Sequence, residues 1–329
     1  MDAPQVLYAL RWLIHDTFRQ TLTSRVFWIL LSISLLFIVF CLGVSVEGGA
    51  VKDINELVTK KGELIAESKT PPGRMSLLFG VFPITFTRTA EEQVHFLLSV
   101  LASWVAGTLG ILVALVFTAG FIPESLHPSA AAVMLAKPLP RWLVLAGKYL
   151  GVVCFVGLHV TIFFVGTWLA IGFRTNVWPV HYLMGIPLTV FHFAVIFSCS
   201  VMLAVFFRSM TACVVGSVLF WVVCGAVNYG YYNTLAYADL NPGGVALPGF
   251  TMFVSELGYW LLPKPADFTI MLEMSLDLGK DMAALGGAPP FKNVLEKNLF
   301  HPLLSIFTSC LFPIFALWAS ASQLAKTDY

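Results

Sequence analysis

The sequence predicts an all-α polytopic membrane protein with six transmembrane helices, an N-terminal amphipathic interfacial helix and two long extracytoplasmic segments. Three observations lead there. Apolar runs long enough to cross a bilayer recur at residues 26–46, 96–121, 151–173, 180–207, 211–231 and 302–324; a hydrocarbon core about 30 Å thick needs about 20 apolar helical residues. Charged residues make up only 11% of the 329 positions, where soluble domains carry about 25%. The mean hydropathy is +0.84, and no segment reads as a separate soluble domain. A net charge of +1 excludes the basic footprint of a nucleic-acid binder. Membrane lipid is the expected surrounding.

Residues 1–25 read as a cytoplasmic elbow helix. Val6, Leu7, Leu10, Leu13, Ile14 and Phe18 share one face of a helical wheel, with Arg11, His15, Asp16 and Arg19 opposite, the pattern of a helix lying in the interfacial plane. Ser24 and Arg25 turn the chain into the first span, 26–46, which begins too late and runs too long for a signal-peptide core and is expected to stay. Residues 47–95 form an extracytoplasmic loop of mixed charge sign. The second span, 96–121, a cytoplasmic loop, 122–147, and the spans 148–173, 180–207 and 211–231 follow. A second extracytoplasmic region, 232–301, precedes the sixth span, 302–324, and a cytoplasmic tail, 325–329. Within that region, 243–262 is apolar except for Glu256 and is interrupted by Pro248. It reads as a re-entrant or surface-lying helix; the alternative is a seventh span that puts Tyr329 outside. Phe268, Met271, Met274, Leu278 and Met282 at helical spacing predict a second outer helix.

Basic residues near span ends set orientation. Arg11, Arg19, Arg25, Lys137, Arg141, Lys148, Arg208 and Lys326 fall on one side of this layout, which places both termini in the cytoplasm. Arg174, in a short outer turn, is the exception.

Small residues recur at helix-packing spacing, Gly147 with Gly151 and Ala106 with Gly110; whether they pack within one subunit or across a dimer stays open. In the loop 122–147, residues 129–136 are small and apolar. Ser129 is a candidate helix cap, and Pro138 and Pro140 stop the helix. It is too short to span and is flanked by Glu124, Lys137, Arg141 and Lys148. It reads either as an element that docks into a partner's groove or as an ordinary inner loop.

Several chemistries lack their motifs. Gly147-Lys148-Tyr149 has neither the Ser/Thr nor the Gly-rich turn of a phosphate loop, so nucleotide binding falls to another polypeptide. GxSxG and HExxH are missing, and no catalytic, cofactor-binding or metal-ligating residue is assigned. The six cysteines form no CxxC pair and read as small hydrophobes. Thr108, Thr161, Ser198 and Ser200 read as helix–helix hydrogen-bonding groups. His159 and His192 read chiefly as packed histidines bonded to a neighbouring helix, with a proton relay as the alternative.

An acidic residue, a small-apolar helix, Lys137-Pro138-x-x-Arg141 and Gly147-Lys148-x-x-Gly151 together resemble the permease subunits of type-2 ATP-binding-cassette (ABC) exporters, in particular the branch of nitrous-oxide-reductase maturation and gliding-motility permeases. The elbow, the long outer region before the last span and the WLLPKPADF stretch, Trp260 to Phe268, add to the likeness. The chain departs from the family at His127 to Ala130, where Gly-Thr often leads into the coupling helix. The resemblance implies that the helix after the second span couples to a separate ABC ATPase that holds ATP and Mg²⁺, with Glu124, Ser129, Lys137, Pro138, Arg141 and Lys148 as coupling residues. It implies a homodimer or a pair with a paralogous permease in a bacterial inner membrane, and substrate passage between protomers along the second and fifth spans by alternating access. The apolar lining suggests a hydrophobic or amphipathic substrate. Other classes remain: an ion-coupled carrier using His159 and His192, or a non-transporting scaffold built on the outer segments.

Overall fold

A computed structural model describes residues 3–47, 73–86, 90–125, 140–241, 247–276 and 289–326. The amphipathic helix α1 (Ala3–Leu22) leads into α2 (Arg25–Leu42). Ser24 makes the turn: its hydroxyl accepts from the Phe27 amide at 3.4 Å and donates to the Thr21 carbonyl at 2.6 Å, the usual way to satisfy an orphan amide at a helix start. Strands β1 (Ser45–Glu47), β2 (Gly73–Leu77) and β3 (Phe82–Phe86) follow. Then come α3 (Ala90–Ser125), α4 (Arg141–Thr175), α5 (Gly185–Phe207) and α6 (Met210–Leu240). The outer segment folds as α7 (Gly249–Leu261), α8 (Pro265–Ser275) and α9 (Pro289–Glu296), and α10 (Pro302–Lys326) closes the described chain. Among the described residues six helices are long and apolar enough to cross a membrane: α2, α3, α4, α5 with the 3₁₀ turn before it, α6 and α10.

α4 is the pillar. It begins at Arg141, directly after Pro140, inside the stretch assigned from sequence to the inner loop, and runs 35 residues, about 52 Å at the helical rise. α1, α2, α5 and α10 all pack on it. The closest seam is with α1. A Cβ built on Gly147 would lie 2.6 Å from Leu13 Cβ, and one on Gly151 would lie 2.6 Å from Thr17 Cβ. The two glycines, one turn apart, are a groove that receives two side chains one turn apart. This contact lies within the subunit. It also turns α1 away from the expected orientation: Ala9, Leu13, Thr17 and Thr21 face inward, while Leu7, Tyr8 and Trp12 are exposed. The groove selects a narrow stripe of small and medium side chains, and the bulkier apolar residues are left for lipid.

α3 is irregular. Leu101–Gly110 winds as a π-helix, and a turn at 119–120 precedes its last stretch. α5 is the most buried of the spans; Phe193 and Phe197 stack at 5.2 Å between ring centres in an apolar cluster with Ile111, Leu115, Phe155 and Val201. A second cluster, around Val94, Leu98, Phe163, Phe164 and Tyr182, fills the other half.

The stretch 47–95, expected to form an extracytoplasmic loop, contains more order than its charge pattern implies. β1, β2 and β3 form an antiparallel sheet in that order, with Val46 opposite Met75 and Met75 opposite Ile84. The alternation Met75, Leu77 and Phe82, Ile84, Phe86 was the available signal. The hairpin turn runs through Leu78, Phe79 and Gly80, all at positive φ, and the Phe79 amide donates to the Gly43 carbonyl at 2.8 Å. Arg174, at the far end of α4, donates through Nε to the Val44 carbonyl at 3.2 Å, which accounts for a basic residue on that side.

The helix over 243–262 is α7, 13 residues long or about 20 Å, too short to span. Phe250, Phe253, Leu257 and Leu261 are exposed and Tyr259 alone among its residues is buried, so it lies on the bundle. The second outer helix is displaced toward the N-terminus: α8 begins at Pro265, and Leu278 and Met282 fall outside the described residues. α8 is the inserted one, with Asp267 to Glu273 buried throughout against α3, α5 and α6.

The seam yields a prediction. Gly147→Leu combined with Gly151→Leu should force α1 off α4 and cost about 1–3 kcal/mol, read as a lower melting temperature of the purified protein; Gly151→Ala alone should cost less.

Candidate functional site

One end of the bundle gathers five of the ten site residues named from the sequence: Glu124, Arg141, Gly147, Lys148 and Gly151. α3 finishes there beside the start of α6, with Met210 Cε 3.4 Å from a Cβ built on Gly120. α1 lies there against the first turns of α4, and α10 ends there. Glu124 is exposed at the exit of α3. Arg141 is engaged: its Nη1 donates to the Leu324 carbonyl at 3.0 Å, covering one of the orphan carbonyls at a helix C-terminus. Lys148 is also turned inward, buried, with Nζ donating to Gln20 Oε1 of α1 at 3.1 Å. Arg141 and Lys148 therefore tie α10 and α1 to α4. Lys148 lies within a turn of both Gly147 and Gly151, and Arg141 opens the same helix six residues before Gly147. Ser129, Lys137 and Pro138, with the whole 129–136 helix, lie outside the described residues.

The second small-residue pair does not close a helix contact. Ala106 is buried in the outer apolar cluster, but a Cβ on Gly110 would meet only Val105 of the same helix, at 3.1 Å from its carbonyl oxygen. The π winding rotates that face away from a neighbour. Three of the four hydroxyls expected between helices bond at home, Thr108 to the Ser103 carbonyl, Thr161 to Gly157 and Ser198 to Val195, at 3.1, 2.7 and 2.7 Å, whereas Ser200 of α5 bonds across to Cys213 of α6.

At the opposite end, four helices meet on one carboxylate. Asp267 of α8 is fully buried. Its Oδ1 accepts from Asn228 Nδ2 at 2.9 Å and from the Tyr232 hydroxyl at 2.7 Å, both on α6. Its Oδ2 accepts from the Tyr259 hydroxyl of α7 at 2.7 Å and from Ser305 of α10 at 2.6 Å. Asn228 returns a bond, its Oδ1 accepting from the Ala266 amide at 2.9 Å. Lys264 lies alongside, with Nζ over the rings of Tyr259 and Trp260 at 4.7 and 5.2 Å and donating to Thr308 Oγ1 at 2.5 Å. Glu273, two turns on, accepts from Ser103 of the π stretch at 3.2 Å.

The chain matches the family profile described as ABC-2 family transporter protein over residues 11–278. It belongs to that family. No curated protein matches it in sequence. As an ABC-2 permease it is the integral membrane subunit of an ABC transporter, a class whose ATP hydrolysis lies with an ABC ATPase partner. The matched stretch runs from the elbow through every span but the last and ends just past α8, so it includes both the basic end and most of the Asp267 cluster.

The permease's two span histidines are apart from these sites. His159 sits between the rings of Phe27 and Phe155, and neither of its nitrogens has a hydrogen-bond partner; His192 stacks on Phe268 with Nε2 unpartnered. The expected bonds to neighbouring helices are not made at these atoms. Sequence reasoning missed Asp267, Glu273 and the donors around them. The visible signal was a Lys-Pro-Ala-Asp tetrapeptide set in an apolar stretch, a placement that demands partners once buried.

Two predictions follow from the outer cluster. Asp267→Ala strands buried donors at about 1–3 kcal/mol each and should lower the melting temperature more than Asp267→Asn, which keeps an acceptor. Burial pushes the Lys264 ammonium down to about 8, against a smaller upward pull from Asp267, whereas a free lysine titrates near about 10.4. Between those values the unfolded chain holds a proton that the folded chain has lost, so stability rises with pH across that window. Lys264→Met should flatten the rise in a melting-temperature series.

Proposed function

We infer that this permease works as a pair of membrane subunits with two separate ATPase subunits in a bacterial plasma membrane, its termini and the 122–147 segment on the cytoplasmic side. The carrying observation is the concentration of basic side chains at one end, where α1 lies, α4 begins and α10 finishes: Arg11, Arg19, Arg25, Arg141, Lys148, Arg208 and Lys326. Basic residues beside span ends favour the cytoplasmic face. The exposed Glu124, with Ser129, Lys137 and Pro138 beyond it, then faces the ATPase, which holds ATP and Mg²⁺. The resemblance to the nitrous-oxide-reductase maturation and gliding-motility branch supports the same arrangement.

Coupling requires that force entering at the loop reach several spans together. α4 is suited to this, because the Gly147 and Gly151 groove and Lys148 fasten α1 to it and Arg141 fastens the end of α10. ATP-driven closure of the partner shifts this unit between two states and changes access to the two membrane faces. Cargo passes between protomers along α3 and α6, whose Trp104, Leu109, Val116, Val215, Leu219 and Val222 are exposed. That apolar surface suits a hydrophobic or amphipathic substrate.

Glu124→Lys combined with Lys137→Glu should lower co-purification of the ABC ATPase with the tagged permease about tenfold, equivalent to about 1.4 kcal/mol. Arg141 is kept intact because it holds α10. Unchanged association would overturn the docking assignment.

A further inference from the structure

A cleft of about 120 Å³ opens between α2, α3, α4 and α5. It lies where the two core clusters fail to meet: Ile111, Val156 and Phe193 line it from one, Ala106 and Phe163 from the other. Ile33, Leu109 and Gly110 line it and are exposed, and all three lie near the middle of their helices. The mouth therefore opens sideways at mid-membrane depth. The π winding of α3 makes the room, since Gly110 contributes no side chain there; π segments within helices recur at functional sites.

His159 lines the cleft with 6% of its surface exposed and both ring nitrogens unpartnered. The Phe27 and Phe155 rings hold it at 5.1 and 4.9 Å between centres. A neutral imidazole carries one donor and one acceptor, and leaving both unmade in an apolar interior is costly. The Ser34 hydroxyl, also on the lining, already donates to the Leu30 carbonyl at 3.1 Å. Among the described residues no Asp, Glu, Lys or Arg lines the space, so none of them compensates a charged group there.

We propose that this cleft binds the polar end of a neutral single-chain amphiphile within one subunit, its hydroxyl or carbonyl bonded to the His159 imidazole and its chain leaving through the sideways mouth into the lipid. The mid-membrane mouth admits such a molecule from the lipid and rejects a charged head group. The site lies within one subunit, its mouth beside the exposed α3 surface, and stands independently of how the ATPase docks.

The test uses the purified permease alone in nanodiscs with three diazirine-bearing probes of equal chain length: a fatty alcohol, the matching alkane and the matching carboxylate. The alcohol should label α2 and α3 residues of the cleft saturably, about tenfold tighter than the other two. His159→Phe keeps a ring and should bring the alcohol down to the alkane's level without changing alkane labelling. Ala106→Phe should fill the cleft and abolish saturable labelling, and Gly110→Leu serves where that variant does not fold. Equal labelling by all three probes, or a His159→Phe variant indistinguishable from the parent, overturns the proposal. Adding the ATPase with MgATP separates the two sources of such a molecule. A cross-link lost on turnover identifies cargo and one that persists identifies a resident lipid, and either keeps the site.

Discussion

Hydrocarbon offers a polar group nothing to bond to, and the packing of this permease is organised around that demand. Ser34, Thr118, Thr161, Ser217 and Ser320 each donate to the carbonyl four residues back within their own helices, and Thr167, which does the same, also meets the Tyr182 hydroxyl at 3.0 Å. Arg141 covers the end of α10, and Asp267 draws donors from three other helices. In a medium of low dielectric these bonds are strong and their absence expensive. Against that background the bare imidazole of His159 stands out, and it occurs where the core has a gap.

Two fastenings, one at each end, divide the molecule's labour. At the basic end, α1 and α10 are held to α4 by close backbone approach at Gly147 and Gly151 and by the side chains of Lys148 and Arg141. At the other end the Asp267 cluster gathers α6, α7, α8 and α10. α10 belongs to both, so motion that leaves both intact carries α4 and the α6–α8 group along with it. The irregular winding of α3 at Leu101–Gly110, which touches α8 through Ser103 and Glu273, lies between them, where a span with looser hydrogen bonding yields most readily.

The spans were legible because hydropathy needs no partner to be read: a run of about 20 apolar residues crosses a bilayer whatever it packs against. The Gly147-Lys148-x-x-Gly151 pattern was legible as a packing motif, but its mate was not, since small-residue spacing says that something comes close and not what. α1 shows the same limit. Its amphipathicity is plain from the wheel, yet Leu7 and Leu13, both on the apolar face, end up on opposite sides of the contact. The short strands escaped notice because five-residue alternations in a charged loop are faint signals.

Chain order and side-chain chemistry alone settle that this protein lives in a membrane, crosses it by helices and concentrates basic charge at one end, because transfer from water to lipid is a property of each segment by itself. Which short outer helix inserts, why Arg141 and Lys148 turn inward, what Asp267 holds and where the core leaves a space are decided only when the helices come together. Those outcomes depend on which donor meets which acceptor across distant stretches of chain, and on volumes that must fit. A one-dimensional pattern does not carry either quantity.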